Sequence, residues 1–238
     1  MKEQLYTIPV NDAFDSACEC PICAMYHTLE QNAIEYTMGP SYMEDDNRAK
    51  TDEMGFCQHH IRSLYEEKNR LGLALILKTH MDKTIRDLKA HANQKPASSA
   101  SIFKKAVPAS SVGTYVKQLE STCFICSRIE DTYQRYLNTL FHLWKKDTAF
   151  QSKFQSAKGF CVHHYGTLYD LAPTLLKGND LNHFLQTLDS VFFANMQRVN
   201  DDLEWFINKY DYRYENEPWK NAKDAIPRTI IKTNHTIL

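Results

Sequence analysis

Apolar residues recur along this chain with the period of an α-helix. Leu137, Leu140, Phe141 and Trp144 stand at i, i+3, i+4 and i+7, and Leu181, Phe184, Leu185, Leu188, Val191 and Phe192 extend a second stripe of the same kind. In the first half, Ile61, Leu64, Leu71 and Leu75 mark the inner face of a long helix running towards His91. No run alternates with the period of a strand. The pattern predicts an all-α fold in which the aromatic stripe is core rather than a cofactor box. The longest apolar stretch, Leu71 to Leu77, is too short to cross a bilayer.

Superimposed on the helical pattern is a repeat. Cys20-Pro21-Ile22-Cys23 recurs as Cys123-Phe124-Ile125-Cys126, and Gly55-Phe56-Cys57-Gln58-His59-His60 recurs as Gly159-Phe160-Cys161-Val162-His163-His164. Cys23 precedes Cys57 by 34 positions and Cys126 precedes Cys161 by 35. The expectation is a duplicated unit: residues 1–92, a connector at 93–114 rich in Ser, Ala and Pro, and residues 115–238 with a C-terminal extension. No acidic residue lies between Leu88 and Leu119, where Lys89, Lys95, Lys104, Lys105 and Lys117 supply positive charge. This reads as a solvated linker or as a small docking patch for an acidic partner.

A Cys-x-x-Cys turn presents two thiolates at the bite of a structural zinc site, and a second pair from a Cys-x-x-His turn completes a tetrahedron. Where a cysteine opens a helix, the residue three positions on shares its face and the residue two on points away. His60 and His164 are therefore the expected ligands, with His59 and His163 on the surface or behind the ligands. An out-and-back pair of helices reversing at Gly39-Pro40 would return the second motif beside the first. The sequence thus predicts two tandem helical units, each clamped by its own zinc: Cys20, Cys23, Cys57 and His60 in one, Cys123, Cys126, Cys161 and His164 in the other. Three thiolates and an imidazole also suit an iron–sulfur cluster, and Cys-x-x-Cys a thiol–disulfide role, although no βαβ pattern accompanies it. Cys18 aligns with Ser121 and reads as a spare thiol or as a ligand in place of Cys20. His27, His80, His91, His142, His183 and His235 form no ligand-type pattern.

Composition narrows the function classes. Lysine and arginine number 28 and aspartate and glutamate 29, a net charge of −1, so no whole-protein field favours nucleic acid or anionic lipid. Seven cysteines and an N-terminus without a signal-type apolar run predict a reducing, cytoplasmic setting. No Walker loop, Rossmann glycine pattern, nucleophile elbow or His-Glu-x-x-His helix is present.

The paired motifs, together with Trp205-Phe206-Ile207-Asn208-Lys209-Tyr210-Asp211-Tyr212-Arg213, Pro218-Trp219 and Lys223-Asp224-Ala225, resemble an uncharacterised family of bacterial proteins of unknown function, found mostly in Gram-positive anaerobes. The resemblance implies a stand-alone cytoplasmic protein and transfers no catalytic residue. The aromatic tail from Tyr210 to Arg228 holds enough area to dock back on the helices, or to meet a partner. Three functions follow as expectations. They are a non-enzymatic module that binds another protein, a small-molecule binder or enzyme with a pocket between the halves, and a thiol-based redox or metal sensor. In the first two, both zinc ions are purely structural.

Overall fold

The computed structural model describes residues 6–94 and 109–237, and these form eleven α-helices joined by turns and short 3-10 segments, with no strand among them. The helices are α1 (Thr7–Asp15), α2 (Pro21–Met38), α3 (Asp45–Met54), α4 (Gln58–Glu66), α5 (Arg70–Ala92), α6 (Ser111–Glu120), α7 (Phe124–Lys146), α8 (Thr148–Ser156), α9 (Val162–Leu175), α10 (Gly178–Asn208) and α11 (Ala225–Asn234). No helix among the described residues is long and apolar enough to cross a membrane. Most of the predicted connector, including Lys95, Lys104 and Lys105, lies outside the described residues.

Local chemistry sets the helix ends. Pro21 occupies the first position of α2, where its missing N–H costs nothing. Asp45 and Asp46 sit in the first turn of α3, where the helix dipole favours negative charge. Asn69 caps α5 by accepting from Gly72 N at 2.9 Å, Ser110 caps α6 through Gly113 N at 3.0 Å, and Asp147 caps α8 through Ala149 N at 2.9 Å. The Asn69 cap corrects the expected long helix from Ile61 to His91. The chain breaks between Glu66 and Arg70, the helical phase restarts, and Leu71 is left 68 % exposed while Leu73 and Ile76 take the inner face.

Two compact units result, one comprising Met1–Leu29 and Thr132–Leu238, the other Glu30–Asp131. These units cut across the sequence repeats, and the division falls inside α2 and inside α7. In the first unit α1 and α10 pack on α8, and α11 lies against α9 and α10. Phe14 meets Phe150, Phe154 and Phe160, while Trp144 meets Phe154 and Phe184. All of these rings are buried, each contributing roughly 1.5–3 kcal/mol. The predicted stripe of Leu137, Leu140, Phe141 and Trp144 is indeed core. In the second unit α5 is the central helix, contacted by α3, α4 and α6.

The C-terminal segment docks on α10. Trp205 Nε1 donates to Pro218 O at 3.0 Å, Trp219 packs on Phe206, and Lys209 Nζ donates to the carbonyls of Tyr214, Glu215 and Glu217. Arg228, largely buried on α11, pairs with Asp202 on α10 and with Asp224.

Candidate metal centre

The eight residues singled out by the repeat gather into two groups, each of three cysteines and one histidine with donor atoms within 4.8 Å of one another. The first is Cys20, Cys23, Cys161 and His164. The second is Cys57, His60, Cys123 and Cys126. Each can hold a metal ion.

The membership of each group corrects the expectation of one closed site per repeat. Cys20 and Cys23 meet Cys161 and His164 of the other repeat, not Cys57 and His60. Likewise Cys123 and Cys126 meet Cys57 and His60. The reason is helix length. From Cys23 the chain runs out along α2, 18 residues or about 27 Å, and reverses at Gly39-Pro40 as expected. The returning helix α3 has only 10 residues, about 15 Å, before Gly55 stops it. Cys57 and His60 therefore come back level with Glu30, seven residues past Cys23, and His60 Nε2 lies 3.0 Å from Glu30 Oε1. The second repeat does the same. Helix α7 has 23 residues and α8 only 9, and the His164 ring stands 6.2 Å from that of Tyr133, again seven residues past its Cys-x-x-Cys.

Within each group the helix starts aim the donors. Cys57 and Cys161 are the N-cap residues of α4 and α9, and the histidine three positions on turns Nδ1 to the sulfur. His164 Nδ1 lies 3.2 Å from Cys161 Sγ, 3.3 Å from Cys23 Sγ and 3.5 Å from Cys20 Sγ, with Cys23 and Cys161 sulfurs 3.6 Å apart. His60 Nδ1 lies 3.2 Å from Cys57 Sγ and 3.3 Å from both Cys123 Sγ and Cys126 Sγ. His60 and His164 are buried, whereas His59 and His163 are exposed. His59 shares the Glu30 carboxylate at 2.8 Å and His163 packs on His235. Cys18 stands outside both groups, accepting from Ser16 Oγ.

The glycine of each Gly-Phe-Cys turn is needed for two reasons. Gly55 and Gly159 have φ of 60° and 90°, and a Cβ on either would lie 2.9 Å from the His80 ring or 2.7 Å from Asn195 Cβ. Both neighbours belong to the long helix that follows, α5 or α10, so the turn is pressed against its own unit's scaffold.

The two ligand-bearing turns of each group are tied together differently. In the second group Thr122 Oγ1 donates to Met54 O at 2.8 Å and Phe124 N to Gly55 O at 3.0 Å. In the first group a side chain from α11 bridges the two turns, at Glu19 O on the turn before Cys20 and at Lys158 O, the counterpart of Met54 O. Lys232 Nζ, 1 % exposed, donates to them at 2.6 and 2.5 Å and lies 3.2 Å from the Glu19 carboxylate. Arg198 holds the same carboxylate at 2.6 Å. Sequence reasoning missed Glu30 and Lys232, because nothing in either's local pattern marks it as a neighbour of a distant turn.

Within each group the thiols are electrostatically coupled. In the first, hydrogen bonds from Cys20 and Cys23 hold the Cys161 thiol down at about 3, while sharing with Cys161 forces Cys23 far up. In the second, burial pushes Cys123 up, but the His60 ring and backbone N–H groups prevail and hold it at about 6. Cys126 is driven upwards by burial and by the charge of Cys123. His60, despite its burial, is raised to about 10 by Cys123 and Glu30. Lys232 is lowered by burial, with Glu19 opposing. Several thiols this close cannot all ionise without a positive centre among them.

No curated protein and no solved structure matches the chain. The chain belongs to the family of unknown function DUF6062, which it matches over residues 1–238.

Proposed function

We propose that this is a zinc-clamped helical protein that serves as a non-enzymatic module for binding another protein, with one structural zinc in each Cys3His group. The observation that carries the reading is that each group supplies four protein donors. Four donors close a tetrahedron and leave no position for water or substrate, which favours a structural over a hydrolytic ion. The spacing supports zinc: tetrahedral Zn–S and Zn–N bonds put sulfur and nitrogen about 3.6 Å apart and two sulfurs about 3.8 Å apart. The sulfur–nitrogen distances of 3.2–3.5 Å and the sulfur pair at 3.6 Å lie close to these values. The ligands are then Cys20, Cys23, Cys161 and His164 in one site and Cys57, His60, Cys123 and Cys126 in the other. None of the seven cysteines is disulfide-bonded, and a reducing cytoplasmic setting is the one that keeps such thiolates available to zinc. The matched motifs and the like order of α1 to α5 and α6 to α10 support descent from a duplicated unit whose parts are exchanged in the fold.

A cleft of about 590 Å³ in the first unit adds little to an enzyme reading. Its cations are already engaged, Arg198 by Glu19, Arg228 by Asp202 and Asp224, and Lys158 by Ala17 O.

Metal analysis of the purified chain tests the proposal: two equivalents of zinc are expected, and iron with visible charge-transfer absorption, or no metal, would overturn it. Glu30 has a specific part in it. By accepting from His60 Nε2 it fixes the tautomer whose Nδ1 lone pair faces the thiolates. Glu30→Gln is expected to weaken zinc at the second site by roughly 10–100-fold and leave the first unchanged, measured by chelator competition.

A further inference from the structure

The two groups have the same donors but not the same access. Cys20, Cys23, Cys161 and His164 are each no more than 5 % exposed. In the second group Cys126 is exposed and Cys57 half-buried. Their charged neighbours also differ in sign. Beside the buried group two cations, Lys232 and Arg198, share the single Glu19 carboxylate, while the open one has the Glu30 carboxylate behind His60. A divalent ion held by three thiolates carries a net charge of −1. A nearby cation withdraws electron density from such a centre, whereas a carboxylate bound to the ligating imidazole makes it more electron-rich.

We propose that the second group is a modification site for peroxides, with Cys126 as the thiolate that reacts first, and that the first group is protected. The inference rests on the zinc reading above and assigns the two ions different fates.

The chemistry is a two-electron oxidation. Cys126 Sγ, kept as thiolate by the metal, attacks one oxygen of hydrogen peroxide; the O–O bond breaks, hydroxide leaves and a sulfenic acid forms. A second thiolate, Cys57 or Cys123, both within 4.8 Å, attacks that sulfur. The S–S bond forms, the S–O bond breaks and a second hydroxide leaves. The two hydroxides take up two protons from solvent, so two thiolates are oxidised to a disulfide while peroxide is reduced to two waters. One thiolate and His60 remain, too few donors for a structural ion. A zinc ion held there would be released, and the turns at Gly55 and Thr122 would keep their two hydrogen bonds and the Phe56–Phe124 contact.

The test is to treat the zinc-loaded full chain with hydrogen peroxide while a chromogenic chelator reports released zinc and mass spectrometry maps disulfides. One of two zinc equivalents is expected to leave, with Cys126 in the disulfide. Cys126→His, which keeps a ligand but removes the exposed thiol, is expected to slow release roughly tenfold. If that variant fails to load zinc, the disulfide map of the native chain decides. Release of both ions at one rate, or first oxidation among Cys20, Cys23 and Cys161, would overturn the inference while leaving the zinc reading intact. A chain that carries no zinc before peroxide is added would overturn both.

Discussion

Cys161→Ser is expected to release the metal of the first group and to unfold the unit built from Met1–Leu29 and Thr132–Leu238. Cys161 is fully buried and does two jobs: its sulfur faces Cys23 and His164, and it caps α9 by accepting from His164 N at 3.4 Å. Zinc in such motifs binds with an apparent free energy of about 10–16 kcal/mol, against a total stability of about 5–15 kcal/mol for a domain. Losing the ion therefore removes as much as the unit has. Without it, the buried thiols that the ion would have neutralised must be accommodated at a cost. Thermal unfolding followed by circular dichroism, with zinc counted in parallel, should show one equivalent lost and a large fraction of the helix melting early. An unchanged transition with two zinc ions retained would contradict the assignment.

Lys232→Met carries the second large effect. The ammonium links the backbone of the turn before Cys20 to that of the turn before Cys161, and the methionine cannot donate to either carbonyl. Removing one member of a buried ionic network costs about 3–5 kcal/mol, and the value here should fall at the lower end because Arg198 still holds Glu19. A lowered denaturant midpoint is expected, together with faster zinc loss from the first group and unchanged loss from the second. Lys232→Arg is not expected to rescue. The ammonium sits 3.0 Å from where a Cβ on Gly159 would be, which leaves no room for a planar guanidinium fork. Equal zinc loss from both groups, or no change in either, would contradict this role for α11.

Much of this was legible in the chain itself. Helical periodicity located the core stripe on α7 and the inner face of α10, and the spacing of three within Cys-x-x-His separated His60 and His164 from their neighbours. Hidden from pattern reading was which half partners which, because that depends on how far each returning helix travels. A signal did exist: the acidic run Glu44-Asp45-Asp46 marks the start of α3, and Gly55 marks its end, so the return leg is visibly shorter than α2. Leu71 misled for a related reason, since a periodic count assumes an unbroken helix and Asn69 breaks it. Lys232 gave no signal at all. A lysine on an amphipathic helix normally faces water, and the two carbonyls and the Glu19 carboxylate gathered by the fold explain its burial.

The central claim is the exchange, in which each Cys-x-x-Cys shares an ion with the Cys-x-x-His of the other repeat. Zinc counts on two double variants test it directly. Cys23→Ser with Cys161→Ser damages one group twice and should leave one zinc per chain, whereas Cys23→Ser with Cys57→Ser damages both groups and should leave none. The reverse outcome, none in the first variant and one in the second, would mean that each repeat closes its own site.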